Sequence, residues 1–372
     1  MKSIPFHKLY KTQEAASGIN VEFLSSGNYA NDLVHRFQSM GFQHPLLTDS
    51  CSRALEIVAS AMDLGPGDEV IVPAYGYPTT ADVFAQHGAS IVFADSQTSH
   101  PNISLDSVKA VLTDKTKVVV SIHYGGVSTD VKALRDLCDA HNIYFVEDNA
   151  HGIGCSYDGQ ALGTFGHFSA ISFHRTKNVH GFTGGMLNVN TRVLLPDCLR
   201  YYNKGTNRAL FEAGTVPYYQ WVGHGNSCEM NAMGLVFLWH QIQLLKEINS
   251  RQLSIWTRYY EAFANQNWNF IAEATTRMPS IEHNAHIYPL CFKNRDARSK
   301  IQCLLAEKGI AAYPHYHSLE ESKFGKQWSI QKCANASQYS DGILRLPMYP
   351  DLSDEEVGYI ITETLKAAKT LS

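Results

Sequence analysis

The sequence predicts a three-layer α/β domain with a mostly parallel sheet, followed by a smaller α+β domain. Between residues 50 and 190, short apolar runs alternate with segments of helical periodicity, which is the pattern of strands joined by helices. From about residue 240 this alternation ends and a long, aromatic-rich helical stretch begins. The length of 372 residues also suits two domains. We therefore expect a large domain over residues 1–240, which includes the N-terminal segment, and a small domain over residues 241–372.

The predicted elements of the large domain follow one another closely. The helix SRALEIVASAMDL ends at the turn GPGD. The strands EVIVP, SIVFAD, KVVVSIHY and IYFVED come next, separated by the helices ADVFAQHG, SLDSVKAVL and DVKALRDLCDAHN. The runs FSAISF and GMLNVN are two further strands. Helical connections between successive strands favour parallel pairing, with helices packed on both faces of the sheet.

The small domain begins with FLWHQIQLLKEINSRQLSIWTRYYEAFA, which has the pattern of one long helix or of two in series. Two strands, AHIYPLCF and IAAYPHY, flank the helix ARSKIQCLLAEKG. The amphipathic run DEEVGYIITETLKAAKTL predicts a closing helix. We expect these elements to form the α+β domain, with the long helical stretch packed between the two domains.

Composition excludes several classes of function. The net charge of −4 and the absence of a basic run argue against nucleic-acid binding. No apolar run approaches the length of a membrane span, and MKSIPFHKLYKTQ lacks the apolar core of a secretory signal, so we expect a cytoplasmic protein. The eight cysteines form no C-x-x-C pair, which favours reduced thiols. The HYH at 315–317 has no carboxylate nearby, so we expect no metal.

Polar and aromatic residues follow the strands of the predicted sheet. Tyr75 and Tyr77 follow EVIVP, His123 follows KVVVSI, Asp148 ends IYFVED, and Lys177 follows FSAISF. Because such sheets bind ligands at the carboxyl ends of their strands, we expect these side chains to assemble one site. No strand is followed by G-x-G-x-x-G, and no Walker motif occurs, so dinucleotide and nucleoside triphosphate cofactors lack their usual signatures.

Four features have both an ordinary and a functional interpretation. Asp148 could cap a helix, or could oppose the charge of a protonated pyridine nitrogen. The loop in TDSCSRALEI could hold an ordinary N-cap at Ser50, or could bind a phosphate at the helix N-terminus. Tyr77 could be a core aromatic or a platform for a planar ring. Lys177 could be a solvated charge, or an amine in a dry pocket that forms a Schiff base with an aldehyde. Taken together, the four match the requirements of pyridoxal phosphate.

In this order the residues resemble the DegT/DnrJ/StrS family of sugar aminotransferases, over nearly the whole chain from IPFHKL to LRLPMYPDLSDEEV. The most telling stretches are GPGDEVIVPAYGYPTTADVFAQHGASIVFAD, VEDNAHGIGCSYDGQALGTFGHFSAISFHRTKN and KGTNR. The combination of FHRTKN, HYGGV and KGTNR is most similar to the dTDP-4-keto-6-deoxyglucose aminotransferases of surface-glycan synthesis. The resemblance implies fold type I, as in aspartate aminotransferase, with pyridoxal 5′-phosphate as cofactor.

The resemblance also implies a reaction and a set of cofactor contacts. An amino group would pass from L-glutamate to a keto-deoxy nucleotide sugar, giving a dTDP-4-amino-4,6-dideoxyhexose for lipopolysaccharide O-antigen or natural-product sugars. Lys177 would carry the cofactor and move the proton, while Asp148 would pair with the pyridine nitrogen. His151 would contact the ring hydroxyl and Tyr77 would stack on the ring. The phosphate would be held by the backbone of Cys51 and Ser52 and by the side chains of Ser52 and Ser172.

Other implied contacts involve the substrate and a second subunit. Ser227 in GHGNSCEM would reach the neighbouring subunit's site, so the working unit would be a homodimer. His315 and Tyr316 match a family pair near the sugar. In KGTNR, a loop that covers the nucleotide sugar, the corresponding residues are Lys204, Asn207 and Arg208.

The chain departs from the family pattern at several positions. The phosphate loop is SCS where the family has Ser-Gly-Thr, Ser227 replaces an asparagine, and Glu229 replaces an arginine. VHGFTGG is one residue shorter than usual, with Thr183 in place of a glutamate, and NAMGLV is also atypical. The alternatives are a 3-keto nucleotide-sugar aminotransferase and a cofactor-binding regulatory protein without turnover. A sugar dehydratase would have histidine in place of Lys177.

Overall fold

The computed structural model describes residues 3–11, 28–264, 266 and 280–371. The strands are β1 (Pro45–Thr48), β2 (Glu69–Pro73), β3 (Ser90–Ala94), β4 (Thr116–Ile122), β5 (Tyr144–Asp148), β6 (Ser156–Tyr157), β7 (Gln160–Ala161), β8 (Phe168–Ser172), β9 (Gly185–Val189), β10 (Ile281–Glu282), β11 (Pro289–Cys291), β12 (Tyr313–Pro314) and β13 (Ile343–Arg345). The α-helices are α1 (Tyr29–Ser39), α2 (Cys51–Ala61), α3 (Thr79–Gln86), α4 (Leu105–Val111), α5 (Val131–Ala140), α6 (Leu195–Tyr202), α7 (Arg208–Glu212), α8 (Ala232–Gln243), α9 (Leu245–Phe263), α10 (Arg295–Glu307), α11 (Ala334–Gly342) and α12 (Asp354–Ala368).

Seven strands form the main sheet, in the order β1-β9-β8-β5-β4-β2-β3. Strands β3, β2, β4, β5 and β8 run parallel, and β9 is antiparallel to both of its neighbours. The predicted mostly parallel sheet is therefore confirmed. Strand β1 was not predicted, because its four residues are too few to display an alternating pattern. Its pairing with β9 is a long-range contact, from Pro45 opposite Asn188 to Thr48 opposite Gly185.

Helices cover both faces of this sheet. Along β2, Val70 and Val72 belong to the same apolar core as Leu55 and Val58 of α2. Ile71, between them, lies on the other face, in a core that includes residues of α4 and α5. Side chains that alternate in this way across a strand require an apolar layer on each face. The three-layer prediction is confirmed.

The long helical stretch of the small domain is two helices in series, α8 and α9, which meet at Leu244. The predicted boundary between residues 240 and 241 falls within α8, and the division into domains stays a prediction. Helices α9, α10 and α12 pack with a three-stranded antiparallel sheet, ordered β11-β13-β12, in a second apolar core. The central strand β13 and the preceding helix α11 were not predicted.

Candidate active site

A cavity of about 480 Å³ lies at the carboxyl ends of β5 and β8. The small sheet faces the same cavity, through Arg345 at the end of β13. Its walls come from both cores: strand ends and the start of α2 on one side, and the segments around β12 and β13 on the other. The lining residues are Phe6, His7, Asp49, Ser50, Cys51, Ser52, Tyr77, Thr79, Asp148, Ala150, His151, Ser172, His174, Thr176, Lys177, Thr183, Gly184, His286, Ile287, His315, Tyr316, Arg345 and Met348. Nine of the predicted site residues are among them: Cys51, Ser52, Tyr77, Asp148, His151, Ser172, Lys177, His315 and Tyr316.

Lys177 and Asp148 supply opposite charges to this cavity. The pKa of Lys177 is lowered to about 8, chiefly by burial and to a smaller extent by the nearby Arg345, although Cys51 and Asp148 act in the opposite direction. Burial also raises the pKa of Asp148. Its carboxylate accepts a hydrogen bond from Thr80 Oγ1 at 2.6 Å and one from the Ala150 amide at 3.2 Å. The lysine therefore loses its proton much more readily than a solvated lysine, and the aspartate has room for one more donor.

The start of α2 provides the predicted anion site. Ser50 is the N-cap, and its hydroxyl accepts from the Arg53 amide at 3.1 Å. The first-turn amides of Cys51 and Ser52, which have no partner within a helix, are left at the cavity wall. A Cβ on Gly185 would lie 2.4 Å from the Cys51 nitrogen, so β9 approaches this turn as only glycine permits. Ser172, at the end of β8, adds a hydroxyl.

Two histidines face the cavity as neutral rings. His151 Nδ1 accepts from the Gly125 amide at 3.1 Å, so its proton is on Nε2, which lies 3.3 Å from the Tyr316 hydroxyl. His286 Nδ1 lies 2.8 Å from Asn178 Oδ1 and donates to it. Burial lowers the pKa of both rings well below its usual value. His151 therefore presents a donor and His286 presents an acceptor.

Fewer of the strand-end residues line the cavity than predicted. Tyr77 is 54% exposed at the cavity, with its ring 6.1 Å from that of Tyr316. Tyr75 instead packs among Tyr124, Tyr316 and Tyr339, and does not line the cavity. His123 also lies away from it. The prediction that Tyr75 and His123 line the site was wrong, because Tyr75 packs into this aromatic cluster and His123 contacts the buried Glu147.

Behind the site, His123 forms part of a closed network around Glu147. The Glu147 carboxylate lies 2.8 Å from His123 Nε2, and it accepts from the amides of Gly163, Phe165 and Gly166. Both side chains are fully buried. This network fixes the loop between β7 and β8, and therefore the position of β8, whose end leads to Lys177.

The remaining predicted residues lie outside the cavity of their own chain. Ser227 pairs in a short bridge with Asn203. Lys204 Nζ lies 3.2 Å from a Glu229 carboxylate oxygen, and Arg208 Nε lies 2.7 Å from Glu212. The Asn207 side chain spans a loop by contacting the backbone of Tyr218 and of Gln220. Ser227 was expected to act in a neighbouring subunit, and its role stays a prediction.

His286 and Arg345 are among the cavity residues that were not predicted. His286 lies in the loop between β10 and β11, and Arg345 ends the three-residue strand β13. Neither stands after a strand of the main sheet, which was the signal used to find the others. The arginine in LRLP was visible in the sequence, but only the pairing of β13 with β11 and β12 turns it towards the cavity.

The cavity fits pyridoxal phosphate on its own chemistry. It combines a buried amine, a carboxylate with unused acceptor capacity, a helix N-terminus with free amides, and an exposed aromatic ring. Lys177 would hold the aldehyde, and Asp148 would hold the ring nitrogen. Ser52 and Ser172 would hold the phosphate, and Tyr77 would contact the face of the ring. Within the described ranges, no group of three or more His, Cys, Asp and Glu side chains is arranged as a metal site. None of the described helices is long and apolar enough to cross a bilayer.

Comparisons with known proteins agree with this interpretation. The DegT/DnrJ/EryC1/StrS aminotransferase family profile matches residues 9–365. The spore coat polysaccharide biosynthesis protein SpsC of Bacillus subtilis (strain 168) is 29% identical over 374 residues, which covers 96% of this chain and 94% of SpsC. GDP-perosamine synthase of Vibrio cholerae is 35% identical over 182 residues, covering 49% of this chain and 50% of that protein.

Solved structures match over the whole chain. The PLP form of a candidate sugar aminotransferase, Spr1654 from Streptococcus pneumoniae, has a TM-score of 0.89 and 25% identity, with 100% of each chain covered. PseC of Helicobacter pylori, an aminotransferase of pseudoaminic acid biosynthesis, has a TM-score of 0.87 and 20% identity, covering 99% of this chain and 100% of PseC, and supports the fold. The fold is therefore that of PLP-dependent fold type I enzymes, as predicted, and pyridoxal 5′-phosphate is the cofactor.

Proposed function

The chain belongs to the DegT/DnrJ/EryC1/StrS aminotransferase family, and we propose that it transfers the amino group of L-glutamate to a keto-deoxy sugar carried by a nucleotide. The observation that carries this proposal is the meeting of Lys177, Asp148 and the start of α2 in one cavity that is large enough for a substrate beside the cofactor. A protein that bound the cofactor without turnover would need no space for a substrate beside it.

The residues divide the work of amino transfer. When bound, pyridoxal phosphate supplies an aldehyde and an electron-accepting ring. With a pKa near 8, Lys177 Nζ can both take a proton from a neighbouring carbon and return it around neutral pH. Asp148, oriented by Thr80, holds a positive charge at the ring nitrogen. When the cofactor is bound, His151 would donate from Nε2 to the ring hydroxyl in place of its contact with the Tyr316 hydroxyl. Ser52 and Ser172 anchor the phosphate and keep the ring in register with Lys177.

The working unit in this proposal is a homodimer. Residues 210–222 carry a group of large apolar side chains between 44% and 78% exposed, namely Leu210, Phe211, Tyr218, Tyr219, Trp221 and Val222. Apolar surface of this kind is typical of an interface rather than of a free surface. A second copy packed there would bring Ser227 towards the neighbouring cavity and Lys204, Asn207 and Arg208 towards its nucleotide sugar.

The preferred substrate in this proposal is dTDP-4-keto-6-deoxyglucose, on the basis of FHRTKN, HYGGV and KGTNR. The product would be a dTDP-4-amino-4,6-dideoxyhexose for a surface glycan or a natural product. The names of two relatives, a spore coat polysaccharide biosynthesis protein and a GDP-perosamine synthase, support a role in glycan sugar synthesis and widen the range of nucleotides to test.

The test is a pair of half-reactions followed in the visible spectrum of the cofactor-loaded protein. L-glutamate should remove the absorption band of the lysine-linked cofactor and release 2-oxoglutarate. Adding 4-keto and 3-keto nucleotide sugars with thymidine, uridine or guanosine should then restore the band. The aminated carbon and its stereochemistry are read from the product by NMR. Persistence of the band in glutamate would exclude transamination from this donor and favour a regulatory protein without turnover.

Lys177→Ala is the variant that isolates the chemistry. It should lack the band and the turnover while retaining the circular dichroism spectrum of the parent, because a buried amine contributes nothing favourable to folding at neutral pH. The matched control is Lys109→Ala, since Lys109 lies on the exposed last turn of α4. That variant should behave as the parent in both half-reactions.

A further inference from the structure

Arg345 is a cationic side chain in the cavity that the cofactor does not require. It is the last residue of β13, where Leu344 faces the core of the small domain and Ile343 faces the core of the large one. Arg345 alternates onto the same side as Ile343 and reaches the cavity wall near His151, His286 and His315.

The guanidinium of Arg345 has capacity for a further partner. Its one hydrogen bond within the described chain is from Nη2 to the Pro314 carbonyl oxygen, at 3.4 Å, and it lies 4.7 Å from the centre of the Phe6 ring. Its Nε is buried and without an acceptor there. No carboxylate of the described residues lies within ion-pair distance of it, whereas Arg53, Arg135, Arg200, Arg208, Arg251, Arg258 and Arg295 all have one. A partly buried guanidinium without a carboxylate partner can bind an anion from outside the chain.

The charges of the loaded cavity leave Arg345 unbalanced. Asp148 would pair with the protonated ring nitrogen, and the amides and hydroxyls at α2 would bind the phosphate, so neither anion needs Arg345 as its partner. Lys177 carries the cofactor, and Asp49 faces Arg53 at 3.7 Å. The three histidines of this wall are neutral, because burial lowers each pKa well below its usual value. Arg345 is therefore a cation of the cavity lining that has no carboxylate partner among the described residues.

We propose that Arg345 binds the α-carboxylate of the amino donor and so holds the donor's reacting carbon beside Lys177. This inference rests on the proposed function, in which an amino acid enters the cavity first. A carboxylate matches the planar fork of a guanidinium in two parallel hydrogen bonds. His286 Nε2, an acceptor on the same wall, would orient the donor's amino group.

The geometry favours the amino donor over the nucleotide sugar as the source of this anion. An α-carboxylate is attached directly to the carbon whose amino group reacts, so it must lie inside the cavity with Lys177. The diphosphate of a nucleotide sugar is separated from the keto carbon by the hexose ring and therefore lies further out. Arg345 lines the same cavity as Lys177, together with His286 and His315, so a carboxylate bound to it would lie within that cavity.

The experiment measures carboxylate binding and amino transfer separately in the cofactor-loaded protein. Glutarate, which has the carboxylates of glutamate but no amine, is titrated calorimetrically into the parent, Arg345→Gln, Arg345→Lys and Arg36→Gln. Arg36 lies on the exposed face of α1 and serves as the control. We expect the Kd for glutarate to rise about 10- to 100-fold in Arg345→Gln, to rise less in Arg345→Lys, and not to change in Arg36→Gln.

The same variants are then mixed with L-glutamate, and the loss of the visible band is timed. The proposal requires a slower donor half-reaction in Arg345→Gln, with the cofactor still bound. It is overturned if the parent does not bind glutarate, if Arg345→Gln binds it equally well, or if only the sugar half-reaction slows. If the parent binds glutarate through Arg345 but glutamate leaves the band unchanged, the carboxylate site stands and the proposed function fails.

Discussion

Glu147 and Asp148 are consecutive carboxylates on β5, and both are buried, yet they belong to different parts of the molecule. Glu147 faces the back of the site, where three amides and His123 use its oxygens completely. Asp148 faces the cavity, where Thr80 and Ala150 use only part of its capacity. The comparison shows that burial of an acidic residue does not by itself indicate function. What indicates function is the number of hydrogen-bond acceptor positions on the carboxylate that stay open to a ligand.

The largest expected effect is on activity, from Asp148→Asn. An asparagine can still accept from Thr80, but it cannot balance the charge of a protonated ring nitrogen. We expect kcat/KM to fall about 1000-fold, equivalent to about 4 kcal/mol, while the free energy of unfolding of the cofactor-free protein falls by only about 1 kcal/mol, because the Ala150 amide alone loses its acceptor. Asp351→Asn, at an exposed position, is the control. A large loss of stability with little loss of activity would assign Asp148 to the same class as Glu147.

Glu147→Gln should give the opposite result. One carboxylate oxygen would be replaced by an NH₂ group, which would meet amide donors where an acceptor is needed. We expect the free energy of unfolding to fall by about 3 kcal/mol, because at least one buried donor is left without a partner. Denaturant unfolding of the cofactor-free protein measures this, with the exposed Glu261→Gln as control. An unchanged unfolding midpoint would mean that the network around Glu147 does not support the fold.

The smallest expected effect concerns the pH dependence of stability. It tests whether the Lys177 amine on the cavity side of the sheet is buried. Burial lowers the pKa of Lys177 from 10.5 to about 8. Between these values the unfolded chain holds a proton that the folded chain has lost, so the free energy of unfolding rises with pH in that window. Below about 8 both states are protonated, and the cost of burying the charge is felt in full.

Lys177→Met removes this titration. Relative to Lys177→Met, the cofactor-free parent should gain up to about 3 kcal/mol between pH 8 and pH 10.5. Denaturant unfolding across that range measures the difference, in which the titrations of tyrosines and cysteines cancel. Equal pH profiles for the two proteins would show that the Lys177 amine is solvated in the absence of cofactor.

The sequence was sufficient for the parts of the site that depend on chain order. Lys177 and Asp148 could be identified because strands joined by helices bring their carboxyl ends to one edge of a sheet, whereas Ser52 and Ser172 came from the family resemblance. The family resemblance added His151 and the pair His315 and Tyr316, and all of these residues line the same cavity. The residues predicted to bind the cofactor could be found from the sequence, because each lies next to a strand or helix with a clear hydrophobic pattern.

Only the tertiary structure decided which side each strand-end residue faces and what the small domain contributes. Tyr75 and His123 follow strands as Tyr77 and Asp148 do, but Tyr75 packs into an aromatic cluster and His123 contacts the buried Glu147. Arg345 and His286 enter through β13 and the loop before β11, elements too short to have a periodic signal. Their approach to Lys177 depends on strand pairing between residues far apart in the chain. Such pairing is determined by packing of the whole molecule and not by local sequence.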